Sequence, residues 1–509
     1  MLAEKMSAKK SMHAISALVF LGLGGKICGL LRSVLMAQQF GSNMQTDAFM
    51  TALSGTVIFT SLSLTLTNGL IILYNKLKGD EEEKLRVVNN VLNVVMIASV
   101  AVTVLCYFAS PLIIKILSKG FMGEQFDLAV LLFRIGLPSI LMYNVAGTFR
   151  GYLNSHGSFV EYGIIQYTLN LTVIFYFVFF ADKYGIKGLM VAQMIGVFTQ
   201  LIVQLPFLKR TKYKYQLAID FKDENVKSLF YIMLPIFMGV ALSDINVIVD
   251  KTMASELAAG SITSLEYGSR INNMFLAIIV APITRVLLPN MSSAYNDDRQ
   301  EDFNKYYSAA STFLYMFALP ATVYLMMLSE PVISLLFGRG EFGARAVSMS
   351  ATAMMFYSLG LAAEGGGLIC SKAFYSINDT KTPLYYSLLN IVLNIIFNFL
   401  FVGRFALGGL ALSTAISSWI CYLLKDWQLK KSFKYNYKDR DMKVFVNSVI
   451  GTLVMGVIVF WAKSQFMLGF SDVKTLLATL GLALVVYSVI ILITMRQQLK
   501  SFILYFKAK

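Results

Sequence analysis

Charged residues are scarce in this 509-residue sequence, where they make up 14% of positions against 57% hydrophobic residues. A soluble protein of this length carries about a quarter charged residues, which coat its surface. The scarcity therefore excludes an ordinary soluble fold. The apolar residues instead come in runs of about twenty, the length that crosses a bilayer as a helix. The sequence predicts a membrane protein.

Histidine and cysteine are also rare, and their positions exclude the usual chemistry of both. The only histidines are His13 and His156, which are too few to form a histidine metal site or a catalytic triad. No CxxC or other ligand spacing occurs, so neither a disulfide framework nor a cysteine metal site is predicted. The four cysteines are widely separated within apolar runs: Cys28, Cys106, Cys370 and Cys421. We expect no metal and no organic cofactor.

The apolar runs predict an all-α polytopic protein with about 14 transmembrane helices. Only helices and closed barrels can span lipid, and these runs are too long and too uniformly apolar for barrel strands. The predicted spans are 14–40, 48–74, 88–118, 127–153, 158–181, 185–208, 226–254, 264–290, 307–329, 346–374, 383–402, 407–425, 443–463 and 472–495.

Lysine and arginine distribute unevenly over the connections between these spans. One alternate set, which includes both termini, carries 29 of them and the opposite set carries nine. Because basic residues collect in cytoplasmic loops, the bias predicts that both termini are cytoplasmic. It also accounts for most of the net charge of +15, so nucleic-acid binding is not expected.

Two long basic loops, 209–227 and 425–443, divide the spans into six, six and two. We therefore expect an amino-terminal six-helix lobe (1–208), a second six-helix lobe (209–425) and two extra helices with a cytoplasmic tail (426–509). A weak repeat agrees with this division, because Asn154 and Asn170 recur as Asn378 and Asn394 at an offset of 224. Two parallel repeats facing a central cavity are typical of a rocking transporter.

Ionisable groups inside the predicted spans are the main functional signal, since each is costly in a bilayer and tends to face a water-filled cavity or a partner. Basic groups outnumber acidic ones, and a cavity with that surplus attracts an anion, which arginine grips through two parallel hydrogen bonds. A phosphorylated or lipid-linked anion is therefore the expected substrate. The basic groups are Lys26, Arg32, Arg134, Lys251, Arg270 and Arg285, and the acidic ones are Asp47, Asp244 and Asp250.

Other roles are open for several of these groups. Asp47, Arg270, Arg134 and Arg285 could instead reach out to the interface from near a helix end. A polar stripe on the seventh span, formed by Ser243, Asn246 and Asp250, is either a set of interhelical hydrogen bonds or an ion site.

Several short motifs form an ordered set along the chain. The most specific run begins with Leu336-Phe-Gly-Arg-Gly-Glu-Phe342 and continues through Phe356-Tyr-Ser-Leu-Gly360 to Phe374-Tyr-Ser-Ile-Asn-Asp-Thr-Lys-Thr-Pro383. Shorter motifs are Thr46-Asp-Ala-Phe49, Met253-Ala-Ser255, Tyr267-Gly-Ser-Arg270 and Leu288-Pro-Asn-Met-Ser292. In this order the set resembles the MurJ (MviN) family of lipid II flippases. That family belongs to the multidrug/oligosaccharidyl-lipid/polysaccharide exporter superfamily and has two six-helix lobes and two extra C-terminal helices.

The resemblance implies export of the undecaprenyl-pyrophosphate-linked peptidoglycan precursor, lipid II, across the bacterial inner membrane. It implies that Lys26, Arg32 and Arg270 bind the substrate, with Asp47 as their acidic neighbour, and that the last two helices form a groove for the lipid tail. The chain departs from the family at Gly25-Lys26, where Ser-Arg is usual, and at Leu53-Ser-Gly-Thr-Val57, which has neither the usual proline nor arginine.

These features predict a transporter that works by alternating access, not an enzyme. Asp250, with Asp379, is the candidate site for a coupling Na⁺ or proton. The expected partners are a lipid-linked anion, membrane lipids and the cell-wall synthesis machinery. The first alternative is a paralogue that exports another polyprenyl-linked glycan. The second is a drug/cation antiporter, but a surplus of basic groups does not suit a cationic substrate. The third is a membrane enzyme, which needs a cluster of acidic or histidine residues, and no such cluster stands out in the sequence.

Overall fold

The computed structural model of the protein describes residues 22, 24–78, 80–158, 160–432, 439–466 and 472–496. These residues are almost entirely helical, and no β-strand occurs among them. Contacts within the chain divide it into two compact units, with the boundary between Ile262 and Thr263. The prediction of an all-α fold is confirmed.

The described helices of the first unit run from α1 to α8. They are α1 (24–40), α2 (Met44–Lys76), α3 (Glu81–Leu117), α4 (Gly123–Gly136), α5 (Pro138–Ser155), α6 (Val160–Phe179), α7 (Ala181–Arg210) and α8 (Glu224–Ala254).

The described helices of the second unit run from α9, which begins just before the boundary, to α17. They are α9 (Ser261–Asn296), α10 (Gln300–Met327), α11 (Ser329–Phe337), α12 (Ala344–Leu359), α13 (Leu361–Ser376), α14 (Lys381–Phe405), α15 (Leu407–Ser432), α16 (Asp439–Phe466) and α17 (Asp472–Thr494).

The helices confirm a multi-pass membrane protein. Over the described residues, nine helical segments are long and apolar enough to cross a membrane, and α12 and α13 make a tenth if their 47° bend lies within one span. Helices α1, α6, α8 and α9 occupy the other four predicted spans, and α6 is a shorter apolar helix. The count of fourteen spans stays a prediction.

Small residues and hydroxyls join the helices at close range. A side chain at Gly147 on α5 would begin 2.6 Å from the Ser63 carbonyl oxygen on α2, so only glycine fits there. Ser63 Oγ donates to the Tyr143 carbonyl oxygen at 2.6 Å, and Thr67 Oγ1 donates to the Gly147 carbonyl oxygen at 3.0 Å. In lipid, packing of this kind replaces the hydrophobic effect as the force that joins helices. It fixes α5 on α2.

In the second unit, α13 packs equally closely on α15. A Cβ atom at Gly366 would lie 2.5 Å from the Tyr422 ring, and one at Gly360, in the bend between α12 and α13, would lie 3.0 Å from the Ala415 Cα atom. The Trp419 indole N–H donates to the Leu359 carbonyl oxygen at 2.8 Å, just before the bend. Helix α15 therefore supports the bend along one side.

Three asparagines on α3 hold the connection between α7 and α8, which we call the strap (211–223). Their amide groups donate to alternate carbonyl oxygens of the strap, so the strap backbone is extended along the first half of α3. The bonds run from Asn89 to the Lys214 carbonyl (2.9 Å), from Asn93 to the Gln216 and Ala218 carbonyls (3.2 and 2.9 Å), and from Asn90 to the Asp220 carbonyl (3.1 Å). The long basic loop of the sequence is therefore fixed to the first unit.

Replacement of Asn93 by alanine should release the strap, because it removes two backbone hydrogen bonds and a third from the Tyr215 hydroxyl. Trypsin should then cleave after Lys214 on the order of a hundredfold faster than in the wild type, since three bonds of about 1 kcal/mol each are lost. Gln216→Ala is the control, because it changes a strap side chain and keeps the bonds. Equal cleavage rates for the Asn93 variant and the wild type would contradict this role.

Candidate functional site

The predicted basic residues of the first helix lie on the described part of α1. Lys26 is exposed and Arg32 is partly buried. Gly25 and Gly29 lie against α6, where a Cβ atom at Gly25 would be 2.9 Å from Gln166 Oε1. The Asn170 amide donates to the Gly25 carbonyl oxygen at 3.3 Å. Close packing on α6 thus sets which sides of α1 remain for its two cations.

Arg32 and Arg150 both interact electrostatically with the Tyr143 hydroxyl. Tyr143 and Arg150 lie seven residues apart on α5 and are both partly buried. Arg150 was counted with a cytoplasmic connection, although it lies within the predicted span 127–153 and on α5, which continues to Ser155. Both guanidinium groups therefore lie within electrostatic range of one tyrosine, and their positive charge suits an anion.

Asp47, the predicted acidic neighbour, is buried, with 2% of its surface exposed. Its Oδ2 atom accepts a hydrogen bond of 2.7 Å from the Gly260 backbone N–H, and Ser42 Oγ donates to the Gly260 carbonyl oxygen at 2.7 Å. Gly260 has a φ of 91°, which other residues rarely adopt. Asp47 therefore anchors the connection between α8 and α9, and it does not lie exposed at an interface.

Two charged residues of α8 bond serines on α2. Ser61 Oγ donates to Asp244 Oδ2 at 2.8 Å, and Lys251 Nζ donates to Ser54 Oγ at 2.8 Å. The pairs are seven residues apart on both helices, so they lie on one face of each. These contacts are interhelical hydrogen bonds, one of the two roles considered for this helix. Asp250 is buried beside Lys251, and its role as an ion ligand stays a prediction.

Arg270 lies on α9, in the second unit. Its Nη2 atom is 3.5 Å from Glu266 Oε1, one turn earlier on the same helix, and both side chains are about one quarter exposed, at 26% and 29%. The sequence analysis counted Arg270 as part of a basic surplus and left out Glu266. This pair reduces the surplus, because its net charge is zero when both groups are ionised.

Asp379, the second predicted ion ligand, precedes α14 in the second unit. Its Oδ1 atom accepts hydrogen bonds of 3.0 Å from the backbone N–H groups of Lys381 and Thr382. Burial raises the pKa of Asp379, but the hydrogen bonds from Thr382 and Lys381 outweigh burial and hold this pKa below its ordinary value. The carboxylate therefore stabilises the start of α14, and participation in ion coupling stays a prediction.

Several charged groups in the second unit were not recognised from the sequence. Lys425, counted with a cytoplasmic loop, is buried on α15, and its Nζ atom donates to Ser371 Oγ at 3.0 Å. Asp426 is buried beside it and pairs with Lys430 at 2.6 Å. Glu364 lies on α13, four residues after the bend. The sequence signal of Lys425 and Asp426 was weak, because α15 continues as a helix beyond the end of its apolar run, to Ser432.

The remaining predicted basic groups are Arg134 and Arg285. Arg134 lies on α4 with its guanidinium against α3, whereas the side chain of Arg285 lies outside the described residues. In the part of the chain that is described, no three His, Cys, Asp or Glu side chains group as a metal site requires. The groups on the first unit thus offer cations and hydroxyls, the donors from which anions accept hydrogen bonds.

Comparison with protein families finds a match over most of the chain. The family model described as "Lipid II flippase MurJ" matches residues 36–481. A probable lipid II flippase MurJ of Buchnera aphidicola is 28% identical over 467 residues, which cover 89% of this chain and 90% of that protein. A lipid II flippase MurJ of Burkholderia cenocepacia is 25% identical over 453 residues, or 87% of this chain and 88% of that protein.

Solved structures show the same fold. The inward closed conformation of a lipid II flippase MurJ has a TM-score of 0.82 at 24% identity and covers 95% of this chain and 99% of that one. An inward-facing multidrug resistance transporter of the MATE family, in the MOP superfamily, has a TM-score of 0.68 at 14% identity, with 81% and 94% covered. The likeness extends over both units.

Replacement of Asp47 by alanine should destabilise the protein by about 1–3 kcal/mol, because the buried Gly260 N–H loses its acceptor. Asp47→Asn keeps an acceptor oxygen and should cost less than half as much. Thermal unfolding of the purified variants in detergent measures both changes. If alanine and asparagine proved equally damaging, the negative charge of Asp47, and not its hydrogen bond to Gly260, would be the important property.

Proposed function

We propose that this chain, which belongs to the lipid II flippase MurJ family, moves lipid II from the inner to the outer leaflet of the bacterial cell membrane. The family match over residues 36–481 is the observation that carries the proposal. Curated relatives with that name align over about nine-tenths of the chain's length, so both units take part in the likeness.

The physical problem in this reaction is the diphosphate of the substrate. An ionised phosphate loses its water when it enters a low-dielectric region, and it needs compensating charge there. We assign this role to Lys26 and Arg32 of the first unit and to Arg270 of the second, with Asp47 as an acidic neighbour held in place by Gly260. The guanidinium of Arg150, which shares Tyr143 with Arg32, is a further candidate.

Arg150 bears on the two places where this chain departs from its family. Lysine at position 26 supplies charge without the planar fork of arginine, and the stretch 53–57 supplies no cation. A guanidinium binds a phosphate through two parallel hydrogen bonds, whereas an ammonium acts as a point charge. Arg150 would restore one such fork near Arg32.

Alternating access is the mechanism that suits this assignment. In it, the lobes expected at 1–208 and 209–425 rock about the head group, and the polyprenyl tail stays in lipid along the helices of 426–509. Helices α16 and α17 expose large apolar side chains, among them Phe460, Trp461 and Leu484, as a tail-binding surface requires. Lipid II leaves the protein chemically unchanged, so the chain acts as a transporter and not as an enzyme.

The positive charge of the connections supports an inner-membrane orientation with both termini in the cytoplasm. The cytoplasmic side would then receive lipid II from the enzymes that make it, and the cell-wall synthesis machinery would take it on the other side. Export of another polyprenyl-linked glycan uses the same physical features and is the nearest alternative. A drug/cation antiporter shares the fold but needs a cavity for cations.

Loss of a proposed head-group contact should abolish the function in cells. Expression of the wild-type chain should restore peptidoglycan synthesis in bacteria depleted of their own flippase. Arg32→Ala and Arg270→Ala should each lower lipid II export at least about tenfold, because each variant loses charge-assisted hydrogen bonds. Arg339→Ala is the control, since the Arg339 guanidinium is exposed and bonds the Leu335 carbonyl oxygen of the preceding helix, α11. Normal export by both cavity variants, at equal membrane abundance, would contradict the assignment.

Coupling to an ion gradient is tested at Asp250. If this buried carboxylate binds Na⁺ or a proton during transport, Asp250→Asn should remove the response of flipping to that gradient. Asp379→Asn tests the second candidate ligand separately from its structural role, because asparagine can still accept the hydrogen bonds at the start of α14. The measurement is lipid II translocation in vesicles with and without an imposed Na⁺ or proton gradient. An unchanged gradient response in the Asp250 variant would exclude this residue as the coupling site.

A further inference from the structure

The arginine at position 134 occupies a site that the proposed function does not use. Its Nε atom donates a hydrogen bond of 2.7 Å to Ser110 Oγ on α3. The centre of its guanidinium lies 4.8 Å from the centroid of the Tyr107 ring, a cation–π distance. Among the described residues it has no acidic partner within ion-pair distance. The two terminal nitrogens, with four N–H donors between them, therefore have no protein acceptor there.

A proline in α3 builds this site. Pro111 has no backbone N–H, so the Tyr107 carbonyl, four residues earlier, loses its helical donor. Ser110 Oγ donates to that carbonyl oxygen at 2.7 Å. The Ser110 hydroxyl proton is used in that bond, so its oxygen is left to accept the hydrogen bond from Arg134 Nε. These two bonds hold the Nε side of the guanidinium at Ser110, while its centre lies over the Tyr107 ring.

The surroundings of this guanidinium are apolar and face lipid. Phe108 and Leu112 on α3 are 76% and 63% exposed, and the Tyr107 ring is 47% exposed. Helices of a multi-pass membrane protein that expose such side chains in their apolar part do so towards acyl chains. An ionised arginine with unpaired donors is costly in that setting, so it must reach either water or an anion.

The depth of the site selects the anion. The run from Val94 to Ile114 carries no charged residue and is about 30 Å long as a helix, the thickness of a hydrocarbon core. Lys115, which is exposed, then marks the boundary of that core. Ser110 lies five residues before Lys115, or about 7 Å below the boundary along the helix. The guanidinium bonded to Ser110 lies at that depth, so a lipid phosphate reaches its fork where head groups sink towards a charge held below the boundary, as bilayer thinning around a buried arginine allows.

We propose that Arg134, Ser110 and Tyr107 form a binding site for the phosphate of a lipid head group in the leaflet where α3 ends. The two terminal nitrogens of Arg134 would donate hydrogen bonds to two phosphate oxygens. Lys115 would add a second positive charge nearer the water. The acyl chains of the same lipid would lie on Phe108 and Leu112. This site is separate from the head-group contacts proposed for transport, and it holds whether or not the chain moves lipid II.

Native mass spectrometry of the full chain tests the site. The wild type, released from detergent with phosphatidylglycerol, should retain one more lipid than Arg134→Gln does, with at least about tenfold weaker retention in the variant. A diglucosyl diacylglycerol, which has similar acyl chains and no phosphate, should show no such difference. Arg339→Gln is the matched control, because it removes an exposed guanidinium that bonds only the end of the preceding helix, α11.

Two further variants protect the test from a folding artefact. Arg134→Lys keeps the charge and removes the fork and the bond from Nε, so retention should be intermediate; Tyr107→Leu should weaken retention while Arg134 remains. Equal retention of phosphatidylglycerol by the wild type and Arg134→Gln would overturn the proposal. Displacement of the lipid by millimolar inorganic phosphate would assign the site to a free anion and would overturn the lipid assignment.

Discussion

A charged side chain inside a bilayer needs a counter-charge, a hydrogen-bond partner or water, and this requirement shapes the helix contacts of this protein. Asp47 satisfies it through the Gly260 N–H, and Lys251 through the Ser54 hydroxyl. In both cases the partner lies on a segment distant in the sequence, so the charge also fixes two elements together. The charged groups thus form part of the framework of the protein.

The sequence predicted those features that depend on local composition. Apolar runs locate the helices because about twenty residues must cross the hydrocarbon core, and each predicted span coincides with a helix of the structure or with a consecutive pair such as α4 and α5. The family motifs between Leu336 and Pro383 indicated the family that the comparison then found.

Features that depend on distant partners could not be predicted in this way. Asp47 and Gly260 are separated by 213 residues, and no local pattern reveals their bond. Arg150 and Lys425 were counted with loops because they lie near the ends of apolar runs, yet the helices continue past these ends. Glu266 was missed as the partner of Arg270, although a spacing of four residues on a helix is the pattern that indicates an ion pair.

The central claim is that the chain carries an anionic, lipid-linked head group from one leaflet to the other. The most direct measurement is the accessibility of fluorescent lipid II in vesicles that contain only the purified chain, read with a quencher that does not cross the membrane. With the chain present, we predict that the quencher reaches lipid II originally in both leaflets. If only the outer-leaflet share is quenched, as in vesicles without protein, the account is contradicted.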